Sequence, residues 1–136
     1  YFNHNILDVL LFAMKKILIV EDEEELAANI SEILTDLDYE VSRVVDNAKD
    51  ALSFLEQNQV DLVLMDIQMP IMNGYESTAA IRKLPDSEQI PIIALTAGTV
   101  LGEKEKCIEF GMNDYIPKPI DKEMLEKIIR EVMQLN

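Results

Sequence analysis

The sequence predicts an α/β fold in which helices cover both faces of a five-stranded parallel sheet, a doubly wound arrangement. Segments rich in Val, Ile and Leu alternate with segments whose apolar residues recur every three or four positions. Three of the five strand candidates are continuous apolar runs, which is typical of strands buried on both faces. The predicted strands are Lys16–Val20, Glu40–Val45, Asp61–Met65, Ile92–Thr96 and Tyr115–Pro117.

Helices are predicted between the strands, because apolar residues there follow a period of about 3.6 residues. This spacing is found at Leu26, Ile30, Ile33, Leu34 and Leu37, at Ala48, Ala51, Leu52 and Leu55, and at Leu125, Ile128, Ile129 and Val132. Asp121 is a predicted N-cap, and Gly111 is predicted to end a helix in the left-handed backbone region. The chain therefore reads as five repeats of strand and helix.

Composition limits the class of protein. The chain has 136 residues, which is enough for one domain with its own core. Its 26 acidic and 12 basic residues give a net charge of −14, which repels nucleic-acid phosphates and anionic lipid surfaces. No apolar run is long enough to span a membrane. Cys107 is the single cysteine, so no internal disulfide is possible, and we expect a buried thiol in a reducing cytoplasm.

Residues 1–13 do not share the alternating pattern, and Met14-Lys15-Lys16 resembles a natural start. We therefore expect an extension or linker of unknown role at 1–13 and one domain at 14–136.

Acidic, hydroxyl and amine side chains stand at the ends of four predicted strands. Glu21 and Asp22 follow the first strand, Asp66 follows the third, Thr96 ends the fourth and Lys118 follows the fifth. Right-handed crossovers in a parallel sheet place all carboxyl ends at one edge, where ligands bind. We therefore expect one pocket that combines carboxylates, a hydroxyl and an amine.

In order and spacing, these residues resemble the receiver domains of two-component response regulators. Asp66 lies 44 positions after Asp22, 30 before Thr96 and 52 before Lys118. The resemblance extends from Met14 to about residue 133 and implies a flavodoxin-like sheet of order 2-1-3-4-5. At position 38 the family more often carries Gly, so we expect Asp38 to adopt a left-handed backbone with modest strain.

The resemblance implies that Asp66 accepts a phosphoryl group from a sensor histidine kinase or a histidine phosphotransfer domain. It also implies that Asp22, Asp66 and the backbone carbonyl of Gln68 bind Mg²⁺ (or Mn²⁺) directly, while Glu21 acts largely through water. Octahedral oxygen coordination of this kind suits Mg²⁺. Lys118 is expected to pair with Asp66 first and with a phosphoryl oxygen afterwards.

Further roles follow from the same resemblance. Thr96 and the aromatic Tyr115 would form the switch, and the peptide before Pro119 would be cis. Gln68 and Gly98, two positions beyond Asp66 and Thr96, would tune the phosphoryl lifetime. A downstream effector or a second copy would bind the face formed by helix 4, strand 5 and helix 5.

The segment after Asp66 is predicted to form a shaped loop. Pro70 fixes one φ angle, and Gly74 is expected to adopt a backbone conformation that other residues avoid. Met65, Met69 and Met72 are expected in or near the core and not as sulfur ligands.

Other interpretations remain open at this stage. The acidic run could be a solvated helix start, which is the favoured interpretation for Glu23–Glu25. A haloacid-dehalogenase-like phosphatase also uses an Asp nucleophile, but that family carries Asp-x-Asp on its first strand, whereas position 68 is Gln. A pseudo-receiver usually lacks an acceptor, an acid or the lysine. The domain could also be a module of a hybrid sensor kinase, and we expect no catalysis beyond its own phosphorylation and dephosphorylation.

Overall fold

The computed structural model describes residue 6, residues 14–98 and residues 101–135. Apart from Ile6, the predicted extension 1–13 lies outside the described residues. Within them, strands and helices alternate as predicted. The strands are β1 (Lys16–Val20), β2 (Glu40–Val45), β3 (Leu62–Asp66), β4 (Ile92–Thr96) and β5 (Asp114–Pro117). The helices are α1 (Glu24–Asp36), α2 (Ala48–Gln57), α3 (Gly74–Arg82), α4 (Glu103–Glu109) and α5 (Lys122–Met133).

The five strands form one parallel sheet in the order β2-β1-β3-β4-β5, which confirms the predicted fold. Three predicted strand bounds are wrong by one residue, namely the start and the end of β3 and the start of β5. Strand β3 includes Asp66, because its backbone pairs with Leu95 of β4, and β5 begins at Asp114, which pairs with Ile93. The correction for Asp66 places the carboxylate on the sheet itself, where neighbouring strands hold its backbone.

Each face of the sheet has its own hydrophobic core. Helices α1 and α5 cover one face through buried residues such as Ile30 and Leu125. Helices α2, α3 and α4 cover the other face through residues that include Ala51, Ile81 and Cys107. Both faces of β1, β3 and β4 are therefore buried, which explains their continuous apolar sequences.

The predicted local signals are present. The Asp121 side chain accepts a hydrogen bond from the Met124 backbone N–H at 2.9 Å, as an N-cap does. Asp38 and Gly111 adopt φ angles of 67° and 99°, in the left-handed region. Among the described residues, none of the helices combines the length and apolar character needed to cross a bilayer.

Candidate functional site

The four predicted strand ends meet at the carboxyl edge of the sheet. Asp66 and Thr96 are the last residues of β3 and β4, and Glu21 directly follows β1. The Lys118 N–H donates to the Thr96 carbonyl at 2.7 Å, which fixes the chain as it leaves β5. Adjacent strands in register therefore determine where the candidate groups lie.

A lysine joins two buried carboxylates at this edge. Lys118 Nζ lies 3.1 Å from Asp66 Oδ1 and 3.2 Å from Glu21 Oε1. The two acidic side chains are only 2% and 0% exposed, whereas the lysine side chain is 22% exposed. The Asp66–Lys118 pair was predicted from the sequence, but the Glu21–Lys118 pair was not.

Three carboxylates converge beside this lysine. Oxygens of Glu21, Asp22 and Asp66 all lie within 4.8 Å of one another, close enough to share a cation. Glu21 Oε2 accepts the Glu23 backbone N–H at 3.0 Å, while Oε1 has no hydrogen-bond partner. The contact of Oε1 with Lys118 is an ion pair without hydrogen-bond geometry. A buried carboxylate oxygen without a hydrogen bond fits a site built for a hard divalent cation.

The electrostatics of the cluster are unbalanced, because one lysine faces three acids. Burial, contact with the Asp22 carboxyl and the charge of Glu21 raise the pKa of Asp66 to about 7, although Lys118 and the Gln68 N–H act in the opposite direction. Burial lowers the pKa of Lys118, but Asp66 and Glu21 outweigh it and the net shift is upward. Lys118 therefore stays charged, and Asp66 exchanges its proton near neutral pH.

Thr96 lies at the same edge, but its hydroxyl does not contact Asp66. The buried Thr96 Oγ1 donates to the Gly98 carbonyl at 3.1 Å and lies 3.5 Å from the Ile116 carbonyl. The expected pocket of acids, hydroxyl and amine is therefore only partly assembled. The hydroxyl would have to leave the Gly98 carbonyl before it could bond a group on Asp66.

The loop after Asp66 is held against the strand end. The Gln68 N–H donates to Asp66 Oδ1 at 3.1 Å, and the Gly74 N–H donates to the Ile67 carbonyl at 2.9 Å. The expectation for Gly74 was wrong in its reason, since its φ is not in the left-handed region. A Cβ at this position would lie 2.4 Å from the Asp66 carbonyl oxygen, so glycine is required by close backbone approach.

The left-handed residue of this loop is Ile71, which no sequence signal indicated. Its φ is 70°, and the Met72 N–H donates to the Pro70 carbonyl at 2.8 Å, which forms a γ-turn. The side chain of Ile71 is fully exposed. A β-branched residue in this conformation is strained, so the loop stores strain a few residues from Asp66.

The remaining predicted residues are placed as follows. Tyr115 is half-buried and packs against the core on the α2, α3 and α4 face. The peptide between Lys118 and Pro119 is cis, as expected. Gly98 has no left-handed φ, and a Cβ added there would meet no atom within 4 Å. Met65 and Met69 are buried, while Met72 is only partly buried.

A cluster that the sequence did not indicate lies where α3 meets α4. The Tyr75 hydroxyl donates to Glu103 Oε2 at 2.6 Å, and the Tyr75 ring lies 5.1 Å from the Phe110 ring. Lys106 Nζ lies 4.7 Å from the centroid of the Tyr75 ring. Helical spacing of Glu103, Lys106 and Phe110 places them on one side of α4, but nothing in the sequence paired that side with Tyr75.

A parallel sheet of this order, with a lysine and three acids at its carboxyl edge, defines the receiver class of signalling domain. The chain belongs to this family, since the response regulator receiver domain model matches residues 17–130. Receiver domains are signalling modules of two-component phosphorelay systems and not classical enzymes.

Individual proteins show the same relationship. The chain is 38% identical over 122 residues to hybrid signal transduction histidine kinase I of Dictyostelium discoideum, covering 85% of this chain but 7% of that kinase. It is 34% identical to an uncharacterised 14.6 kDa protein of Leptolyngbya boryana, covering 88% of this chain and 90% of that protein. Similar domains thus occur both inside long kinases and as nearly whole proteins.

A solved structure extends the similarity to the fold. The receiver domain of the sensor histidine kinase PA1611 of Pseudomonas aeruginosa is 35% identical, with a TM-score of 0.81. The match covers 90% of this chain and 99% of that domain, whose structure has a magnesium ion coordinated in the active-site cleft.

Proposed function

We propose that this domain accepts a phosphoryl group on Asp66 from a phosphohistidine of a sensor histidine kinase or a phosphotransfer protein. The observation that carries the proposal is the Asp66 carboxylate, buried at a strand end with Lys118 at 3.1 Å. One Asp66 oxygen attacks phosphorus in line with the departing histidine nitrogen, so a carboxyl–phosphate bond forms as the nitrogen–phosphate bond breaks. Lys118 stabilises the negative charge of the transferred group.

We propose a divalent cation, Mg²⁺ or Mn²⁺, as the cofactor. Asp22, Asp66 and the Gln68 carbonyl would hold it directly and Glu21 through water. The buried Glu21 oxygen that lacks a hydrogen bond and the three converging carboxylates support this assignment. When bound, the cation neutralises charge on the acids and on the phosphoryl oxygens.

We propose that phosphorylation is read out through Thr96 and Tyr115. Thr96 gives up the Gly98 carbonyl to bond a phosphoryl oxygen, and Tyr115, paired with Ala94 across the sheet, follows. The output partner is a downstream effector or a second copy that binds the face of α4, β5 and α5. The choice of this face is supported by Ile108 on α4, which is apolar and 56% exposed. Residues 14–136 would form the receiver and residues 1–13 an extension, either as a separate protein or within a hybrid kinase.

Labelling with acetyl phosphate in Mg²⁺ tests the acceptor. The wild type should incorporate one phosphoryl group and Asp66→Asn none. Asp61→Asn is the matched control, because Asp61 directly precedes β3, at the opposite edge of the sheet, and accepts the Lys16 N–H at 2.7 Å, a bond that Asn can keep. Equal labelling of wild type and Asp66→Asn would refute the assignment.

Mg²⁺ titration tests the cofactor. Asp22→Ala should weaken Mg²⁺ binding strongly and Glu21→Ala less, with folding retained, because both changes relieve repulsion among acids. Glu23→Ala, in the same acidic run, should bind Mg²⁺ like the wild type. Equal affinity in wild type and Asp22→Ala would exclude this site.

A further inference from the structure

Tyr75 connects two helices at the carboxyl edge of the sheet. It is the second residue of α3 and is 5% exposed. Its hydroxyl donates to Glu103, the first residue of α4, and its ring contacts Lys106 of that helix and Phe110, which directly follows the helix. Both the start and the end of α4 are therefore held against one aromatic side chain.

The anchor of Tyr75 is the acceptor strand. The preceding residue, Gly74, is packed so closely on the Asp66 carbonyl that a Cβ would lie 2.4 Å from that oxygen. The Gly74 N–H also donates to the Ile67 carbonyl. Tyr75 is thus fixed relative to Asp66 by backbone contacts, and α4 is positioned from this fixed point.

A second connection runs from Thr96 to α4. The Thr96 hydroxyl donates to the Gly98 carbonyl, and Gly98 lies five positions before Glu103. Four residues, 99–102, separate Gly98 from Glu103, so the length of the chain limits how far α4 and the Gly98 carbonyl can move independently. The same structure that holds Glu103 on Tyr75 has the Thr96 hydroxyl bonded to the Gly98 carbonyl.

We propose that Tyr75 and Glu103 are positioning residues for phosphorylation, which hold α4 in the place where the Gly98 carbonyl retains the Thr96 hydroxyl. This inference rests on the proposed function of Asp66, because it concerns the response to a phosphoryl group there. Loss of the Tyr75–Glu103 hydrogen bond lowers the cost of moving Thr96 towards Asp66. By linkage, the bond opposes phosphorylation and phosphorylation weakens the bond.

Beryllofluoride with Mg²⁺, which mimics a phosphoryl group on a carboxylate, measures this coupling. Tyr75→Phe keeps the ring contacts and removes the hydroxyl. It should bind beryllofluoride about three- to tenfold more tightly, because loss of a hydrogen bond to a charged acceptor can change an equilibrium constant by this factor or more. Glu103→Ala should act in the same direction. The double variant should bind beryllofluoride about as tightly as either single variant, because both substitutions remove the same hydrogen bond.

Two further variants separate positioning from simple stability. Glu103→Gln keeps an acceptor oxygen for Tyr75 and should restore affinity towards that of the wild type. Thr78→Val is the matched control, because it also removes a buried hydroxyl from α3, but one without a hydrogen-bond partner. It should leave beryllofluoride affinity unchanged.

The outcomes distinguish this inference from the proposed function. A wild type that binds beryllofluoride, with Asp66→Asn that does not, supports the proposed function. If Tyr75→Phe then has wild-type affinity, and its melting temperature falls equally with and without beryllofluoride, the contact is only structural and the positioning role is refuted. If the wild type itself fails to respond, both proposals are wrong.

Discussion

Replacement of Asp66 by Asn should stabilise the cation-free domain, and the gain should grow with pH. The physical reason is the pKa of Asp66, which the folded environment raises from 3.8 to about 7. Between these values the unfolded chain ionises the carboxyl readily, whereas the folded domain binds a proton to avoid a buried charge. Ionisation of Asp66 therefore opposes folding. The contribution of this group to the free energy of unfolding is fully present below pH 4, and it is lost as the pH rises from there through 7.

The size of the effect follows from the two pKa values. A pKa difference of about three units makes the wild type roughly 4 kcal/mol less stable at pH 8 than it would be with a neutral side chain. At pH 5 the same difference is about 1.5 to 2 kcal/mol, because the folded domain is protonated there. The advantage of Asp66→Asn should therefore increase by about 2 to 3 kcal/mol between pH 5 and pH 8.

Urea unfolding in EDTA at several pH values measures this difference. Asp86→Asn, in the loop between α3 and β4, is the matched control because Asp86 is exposed and its left-handed backbone also suits Asn. Added Mg²⁺ should stabilise the wild type and reduce the advantage of Asp66→Asn. A pH-independent difference between wild type and Asp66→Asn, or an advantage that shrinks with rising pH, would refute the electrostatic reasoning.

Three further predictions concern Gly74, Gly98 and Arg82. Gly74→Ala should destabilise the domain by about 2 kcal/mol or more, because its Cβ would overlap backbone at the Asp66 carbonyl, whereas Gly98→Ala should be tolerated in urea unfolding. Gly98→Leu should slow the release of phosphate from phosphorylated Asp66, because the larger side chain obstructs the attacking water. An unchanged release rate in a folded variant would exclude the idea that a side chain at position 98 shields the phosphoryl group. Arg82→Lys should cost about 2 kcal/mol in thermal unfolding, because Arg82 donates to backbone carbonyls in the loops before β4 and β5, and Lys83→Met is its exposed control. Equal melting temperatures for Arg82→Lys and the control would contradict this role.

Much of the fold was predictable because the dominant signals are local. Continuous apolar runs identified strands buried on both faces, and polar residues at strand ends identified the edge at which they meet. Periodicity alone could not choose the order of the strands. That order came from the family resemblance, which rests on the spacing of Asp22, Asp66, Thr96 and Lys118. The bounds of β3 and β5 differed by one residue, since strand ends depend on pairing with neighbours.

The details of the site were less predictable because they depend on distant backbone. The Thr96 hydroxyl donates to the Gly98 carbonyl and lies 3.5 Å from the Ile116 carbonyl, which only the folded chain brings close. The sequence indicated that Gly74 is needed. The reason is the close approach of its backbone to the Asp66 carbonyl, which no local sequence pattern indicates. The Tyr75–Glu103 bond spans 28 positions and belongs to no motif.

The most direct test of the central claim is identification of the phosphorylated side chain. After incubation with acetyl phosphate and Mg²⁺, borohydride reduction converts an acyl phosphate to an alcohol that mass spectrometry locates within a peptide. The reduced residue should be Asp66 alone, and EDTA should abolish the product. Reduction at another carboxyl group, or at Asp66 without a requirement for Mg²⁺, would contradict this claim.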